Sequence, residues 1–391
     1  MNRNLYVDVH VLQTVPASCV NRDDTGSPKT AVYGGTTRAR VSSQAWKKAM
    51  RDMFRINDEE SIAFRTRIAV DKIKDEIRKI EAEQNVTPAF SEEECSEWAE
   101  FVLSKALSKK KSSENKKSTA DSEKKKKAKS KDAEEDEDSV DVRKTLLMIS
   151  QPQIHALADL AVKKYDEKDN SLYKAALNDE PSLDILLFGR MVASDPSLNY
   201  DAAAQVAHSI STHTVHNEYD YFTAVDDCSP EDNAGAGHLG TVEFNSSTLY
   251  RYATVNGNAL SENLGVDTAK AIRGFLEAFV RSMPTGKQNT FANRTLPDLV
   301  YVTIREDQPV NLAGAFEKPV SGKEGYAEES VRRLFAYADT VYTNFAGAPA
   351  LALCACNYPT ADGTEKMPLS ALLDRVEAYA EQRLADGKGG K

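Results

Sequence analysis

A chain of 391 residues with 41% hydrophobic and 28% charged side chains has room for one main domain carrying large insertions, or for two domains. It holds no apolar run near the ~18 residues that span a bilayer, no signal peptide is expected at its start, and five scattered cysteines fit a reducing cytoplasm rather than a disulfide framework. The net charge of −10 argues against indiscriminate binding to nucleic acid, but residues 1–55 hold nine Lys/Arg against four Asp/Glu and the rest 41 against 56, so a local basic patch stands against an acidic remainder.

In chain order, Leu5, Val7, Val9 and Val11 alternate with Tyr6, Asp8, His10 and Leu12, which predicts an N-terminal strand. A turn-rich loop from Pro16 to Gly35 leads to a short strand over Arg38–Val41, and Ser42-Ser43 then caps a helix running to about Arg55. Its apolar stripe is Trp46, Ala49, Met50, Met53 and Phe54, and its other face carries Gln44, Lys47, Lys48, Arg51 and Arg55. Residues 58–180 read as mostly helical, with Ile68, Ile73, Ile77 and Ile80 on one helix and Trp98, Val102, Leu103 and Leu107 on another. Within them, Ser112–Ser139 has lysine clusters, an acidic run and almost no apolar residues, so it is expected to be a disordered loop. Beyond it, Asp184–Val192 and Ala203–Val215 look strand-like, the second also passing as a helix. Tyr219–His238 is polar and acidic, and Thr241–Val255 is a strand again. An amphipathic helix over Asp267–Ser282 buries Ile272, Phe275, Leu276 and Phe279. Strands at Leu299–Arg305 and Ala350–Cys356, with helices near Glu328–Phe345 and Leu369–Ala385, complete an α+β palm with inserted helices.

The basic N-terminal surface is the strongest chemical signal. Arg38 and Arg40 lie on a strand, and Ser42, Gln44, Lys47, Lys48 and Arg51 follow at a helix start, where free N–H groups and the positive dipole end suit phosphate. A solvated helix face explains the same charges equally well. Tyr219, Tyr221 and Phe222 sit in an acidic stretch, where they either stack on bases or pin the loop to its own core. His208, His213, His216 and His238 with Asp226-Asp227, and Cys354 and Cys356 elsewhere, raise the rival reading of a metal-dependent RNA-processing enzyme. Their spacing is poor, however: on a strand His208 and His213 face opposite ways, and the Cys pair sits on an apolar strand. No catalytic residue, metal or cofactor is expected.

Four stretches resemble the CasC family, the guide-binding backbone subunit of type I-E CRISPR Cascade. The first is Cys19-Val-Asn-Arg-Asp-Asp24 with Gly34-Gly35 and Arg38-Ala-Arg-Val-Ser-Ser-Gln44, then Lys47 and Arg51. The second is Gly189-Arg-Met191. The third is Ala207–His213 with Phe222–Asp227, His238-Leu-Gly-Thr241 and Tyr250-Arg-Tyr252, and the fourth is Gly286-Lys-Gln288 with Ala315-Phe-Glu-Lys318. The resemblance implies an RRM-like (ferredoxin-like) palm at 1–57 and 181–391, helical fingers at 58–180 with the charged loop 112–139, and a β-hairpin thumb at 217–240. It implies a non-catalytic cytoplasmic subunit that stacks head to tail along a guide crRNA, which pairs with the target DNA strand. The large, small, capping and guide-processing Cascade subunits would be its partners. Ser42, Gln44, Lys47 and Arg51 would meet the RNA backbone, with Arg22 and Lys287 as further candidates. Met191 would be a wedge beside a displaced base, and Tyr221 and Phe222 would occupy the thumb.

Overall fold

The computed structural model describes residues 4–57, 62–84, 89–108, 141–166, 170–224, 238–322, 324–360 and 363–388. Ser112–Ser139, Asp226 and Asp227 lie outside the described residues, as does the side chain of His238. The chain divides into two compact units, residues 1–59 with 202–391 and residues 60–201.

In chain order the elements are β1 (Tyr6–Ser18), β2 (Thr30–Tyr33), β3 (Thr36–Val41), α1 (Ser43–Asn57), β4 (Phe64–Thr66), α2 (Ala69–Gln84), α3 (Glu92–Leu107), β5 (Leu147–Ile149), α4 (Gln151–Val162), α5 (Ser171–Asn178) and α6 (Leu183–Phe188). There follow β6 (Ala204–Val206), β7 (Ser209–Ser211), β8 (Glu218–Ala224), β9 (His238–Asn256), α7 (Gly257–Leu264), α8 (Thr268–Arg281), α9 (Gln288–Phe291), β10 (Leu299–Arg305), α10 (Ala327–Val341), β11 (Leu351–Cys356), β12 (Glu365–Lys366) and α11 (Leu369–Lys388).

The first unit is built on a mixed sheet of order β12-β11-β10-β1-β9-β7-β3-β2, with β6 and β8 also pairing β9. The alternation in β1 marks two faces, as read from the sequence, but neither faces water: Val7, Val9 and Val11 are buried, and so are Asp8, His10 and Gln13. Leu5 on the odd-numbered face and Ile272 of α8 both crowd Gly257, whereas Leu12, Tyr250, Tyr252 and Tyr301 join Leu334, Phe335 and Ala338 of α10 in a core on the other. Trp46, Met50 and Phe54 of α1 are buried, each side chain stabilising by about 1.5–3 kcal/mol, and α1 packs on α8. Covered on both faces, the sheet can carry polar residues inside only where they are bonded. Tyr252 Oη donates to Asp8 Oδ1 at 2.9 Å and the Val310 N–H to Asp8 Oδ2 at 2.8 Å, while His10 Nδ1 lies 2.9 Å from Tyr250 Oη.

The second unit is a helical cluster on a short β4–β5 pair, its core drawn from Ile73, Ile77, Ile80, Val102, Leu103, Leu157 and Tyr173 among others. Ser91 and Ser150 cap α3 and α4 in reciprocal capping boxes with Glu94 and Gln153. Two expectations change here. Ile68 precedes α2 and is exposed rather than part of its stripe. The run from Leu183 is a helix, not a strand. Ile185, Leu186 and Leu187 are all buried, so the run has no polar face to set a period, and the buried carboxylate of Asp184 accepts the Ala63 N–H at 2.9 Å. Residues 181–201, expected with the palm, group with this unit. Arg190 is the reason: its guanidinium donates to the carbonyls of Leu177 (3.1 Å) and Leu198 (2.9 Å) and to Asn178 Oδ1 (3.2 Å).

Candidate nucleic-acid interface

Where β1 ends, the chain turns tightly. Asp23 Oδ1 accepts from Thr25 Oγ1 (2.7 Å), Thr25 N (3.0 Å) and Ser27 N (3.0 Å), and the Thr25 hydroxyl leads in holding its carboxyl below the usual range. Asn21 anchors this turn to its surroundings: its carbonyl accepts the Lys29 N–H at 2.9 Å and its side chain accepts the Ser42 N–H at 2.9 Å, just ahead of α1. Ser42 is itself buried and spends its hydroxyl on the Ala45 N–H at 3.3 Å. It therefore caps the helix.

The loop between α8 and β10 closes on the same turn. A Cβ on Gly286 would stand 2.2 Å from the Val20 carbonyl oxygen, so only glycine allows this approach. The next residue, Lys287, has a left-handed backbone with φ of 50°. Burial pushes the Cys19 thiol up, Arg22 and Lys287 pull it down, and Asp23 and Glu243 raise it again, so both cations lie within electrostatic reach of Cys19. Arg40 extends the patch: its Nε donates to the Thr30 carbonyl at 3.1 Å and its Nη1 lies 3.2 Å from His208 Nδ1. Burial first, then Arg40 and Lys29, hold the His208 ring below its ordinary value. Along α1, Gln44 and Lys48 are exposed and Lys47 and Arg51 half-buried. Lys48 pairs with Asp52 at 2.5 Å, and burial lowers the Lys47 ammonium.

Arg22, Lys29 and Arg40 lie beside the turn that leads into α1, Lys287 follows the contact of Gly286 with Val20, and Lys47 and Arg51 lie one and two turns along α1. Sequence reasoning missed Lys29 because no periodicity marks a face inside a turn. Arg38 is not among them. It is fully buried, and its guanidinium donates to the carbonyls of Tyr33 (3.2 Å), Ser211 (3.0 Å), Phe316 (3.0 Å) and Glu317 (3.2 Å). Two apart on β3, Arg38 and Arg40 share a strand face but meet different neighbours: Arg38 ends among the Ser211, Phe316 and Glu317 carbonyls, Arg40 beside the Thr30 carbonyl and His208. Gly34 belongs to the same knot, since at φ of +58° a Cβ would fall 1.7 Å from the Glu317 oxygen. Gly34, Arg38, Ser211 and Phe316–Glu317, distant in sequence, form one structural joint.

The expected thumb begins as a hairpin, with Glu218–Ala224 antiparallel to Phe244–His238; its tip, residues 225–237, lies outside the described residues. Tyr219 and Tyr221 share one strand face and are 68% and 64% exposed. Phe222 points the other way and lies across Gly240, its partner in register, where an added Cβ would come within 2.4 Å of the ring. Met191 is 86% exposed and belongs to the second unit.

The histidines diverge. His213 is buried, its Nδ1 lies 2.9 Å from the Thr214 carbonyl, its Nε2 accepts the Thr248 N–H at 3.1 Å, and its ring stacks on Tyr326 at 3.7 Å. That N–H donor leaves no ring lone pair for a metal. His208 and His216 are exposed. Burial raises the Cys354 thiol to about 11, and among the described residues no three His, Cys, Asp or Glu side chains come together as metal ligands.

Several comparisons bear on this arrangement. No curated protein matches the chain. A chain in a solved structure described as "CRISPR RNA-guided surveillance complex, pre-nicking" is 33% identical, with a TM-score of 0.78 over 96% of this chain and 100% of that one. A second, from a "CRISPR RNA-guided surveillance complex", is 29% identical, with a TM-score of 0.59 over 96% and 99%. The model of the CT1975-like protein family matches residues 7–377, nearly the whole length, and the chain belongs to that family.

Proposed function

We propose that this protein binds a guide crRNA through its phosphates, without cutting it, as a repeating backbone subunit of a type I-E surveillance complex. The observation that carries the reading is the set of cations Arg22, Lys29 and Arg40 beside the start of α1, Lys47 and Arg51 along it, and Lys287 on the loop that closes on the same turn, on an otherwise acidic chain. Phosphate contacts carry no sequence information, which suits a subunit serving any guide, and base pairing by the guide reads the target DNA strand. The exposed Tyr219 and Tyr221 supply a stacking face on the thumb, Met191 remains a candidate wedge, and the covered sheet with its helices is the RRM-like palm. Residues 191–269 hold eleven Asp/Glu against Arg251 alone. This acidic stretch would dock beside the basic surface of the next copy in a head-to-tail contact, with the other complex subunits completing a cytoplasmic particle. Among the described residues no helix is long and apolar enough to cross a membrane.

Titration of two unrelated guides at several salt concentrations tests the reading. Replacing Lys47 and Arg51 by Ala should make the slope of log affinity against log salt shallower by up to about 1.4 per copy, equally for both guides, and the guides should stay intact with Mg²⁺ or Mn²⁺ present. An unchanged slope, or a loss confined to one guide, would remove α1 from the interface. Guide cleavage that disappears on His208→Ala would favour the enzyme instead.

A further inference from the structure

Under the basic surface lies a cation that the surface itself does not expose. Arg251 of β9 is buried, and among the described residues no carboxylate pairs with it. Its guanidinium lies over the Trp46 ring at 3.7 Å and the Phe279 ring at 4.6 Å. Nη1 donates to Gln13 Oε1 at 2.6 Å, and Nη2 donates to the Phe279 carbonyl near the end of α8. Burial lowers its proton affinity to about 9, so it is charged at neutral pH. A buried charge without a counter-ion is costly, and a methionine or leucine would fill the space without that cost. What a hydrophobe lacks is the fork.

Each tie leads to the candidate interface. Trp46 sits in α1 directly before Lys47, and its indole N–H donates to Ser209 Oγ at 3.0 Å. Gln13 Nε2 donates to the Thr295 carbonyl at 2.8 Å, and Thr295 Oγ1 donates to the Thr14 carbonyl at 2.7 Å. This fixes the base of the loop that carries Lys287. The bond to the Phe279 carbonyl holds the other base of that loop.

We infer that Arg251 is a positioning residue for the nucleic-acid face, locking the helix that bears Lys47 and Arg51 to the loop that bears Lys287, so that both present cations to one phosphate chain in fixed register. The inference rests on the RNA-backbone reading above. A plain core staple would stabilise the fold and leave the affinity of the folded protein untouched.

A double-mutant cycle separates the two roles, with full-length protein titrated against single-stranded RNA at a temperature where every variant is folded by circular dichroism. Arg251→Met should weaken binding about tenfold, the scale of coupling between residues in one network, and should cost far less in a Lys287→Ala background. Gln13→Leu removes the link from Arg251 through Gln13 to Thr295 while leaving the ring contacts and the bond to the Phe279 carbonyl, and serves where Arg251→Met does not fold. It should show the same dependence on Lys287. Additive losses, or a lowered melting temperature with unchanged affinity, would overturn the positioning role. If Lys47→Ala/Arg51→Ala weakens binding while Arg251→Met and Gln13→Leu do not, this inference fails alone; if none of these variants nor Lys287→Ala changes affinity, the RNA-face reading fails and takes it along.

Discussion

Asp8 and His10 sit two apart on β1, on the same covered face, and burial displaces both in opposite directions. Burial raises the Asp8 carboxyl from 3.8 to about 6 and lowers the His10 ring from 6.5 to about 3. The folded state therefore holds a proton on Asp8 that the unfolded chain has already released, so this group's contribution is fully present below about pH 4 and is lost as pH rises to about 6. His10 acts the other way: the unfolded chain takes up a proton below about 6.5 that the folded state refuses, so stability falls as pH drops from there. Between about pH 4 and 6 the two slopes oppose. Asp8→Asn removes one of them. The stability of that variant relative to wild type should move in its favour by up to about 3 kcal/mol between pH 4 and 7, measured by urea unfolding at both ends; a difference independent of pH would show that Asp8 titrates normally. Neither shift was legible in the sequence, where Asp8 and His10 look like the wet side of a half-exposed strand. Arg38 and Arg40 teach the same lesson, since a sequence places both on one strand and is silent on which faces the carbonyls of a joint 278 residues away, such as that of Phe316.

At the scale of elements, the period-bearing segments were legible. The stripe of α1 and the core face of α8 lie where their spacing puts them, because a strong 3.6-residue period survives any tertiary context. The all-apolar run of α6 was misread for lack of one. In the β8–β9 hairpin, the two aromatics expected in a thumb lie on opposite strand faces. Tyr221 is exposed on one face of β8, whereas Phe222, itself 43% exposed, lies across Gly240 on the other and ties the two strands together. Tyr221→Ala should weaken guide complexes, with about 1–3 kcal/mol at stake per stacked base, and leave the melting temperature unchanged. Phe222→Ala and Gly240→Ala should instead loosen the hairpin, seen as faster proteolysis between residues 217 and 245 without RNA. Equal effects of Tyr221→Ala and Phe222→Ala on proteolysis would refute this division.

Across the whole molecule, the second unit takes its core from residues 69–107 and 142–198, so deleting residues 112–139 should leave its melting temperature within a few degrees of wild type; an insoluble product would show that the stretch contributes to folding. The mixed α/β character and the likeness to CRISPR surveillance-complex subunits were readable because separated motifs converge on joints such as Gly34, Arg38 and Glu317. The division at residue 201 was not, because Arg190 recruits its segment through backbone carbonyls that leave no mark in sequence. One strand runs through most of this. The amino-terminal part of β9 pairs with β8, and residues 249–255 lie between β1 and the short strands β6 and β7. A two-stranded ribbon is marginally stable alone, while a strand clamped on both sides opens only with the core. Amide protons near residues 239–244 should therefore exchange far faster than those at 249–255, so one continuous strand joins a ribbon that opens locally to a body that opens only as a whole.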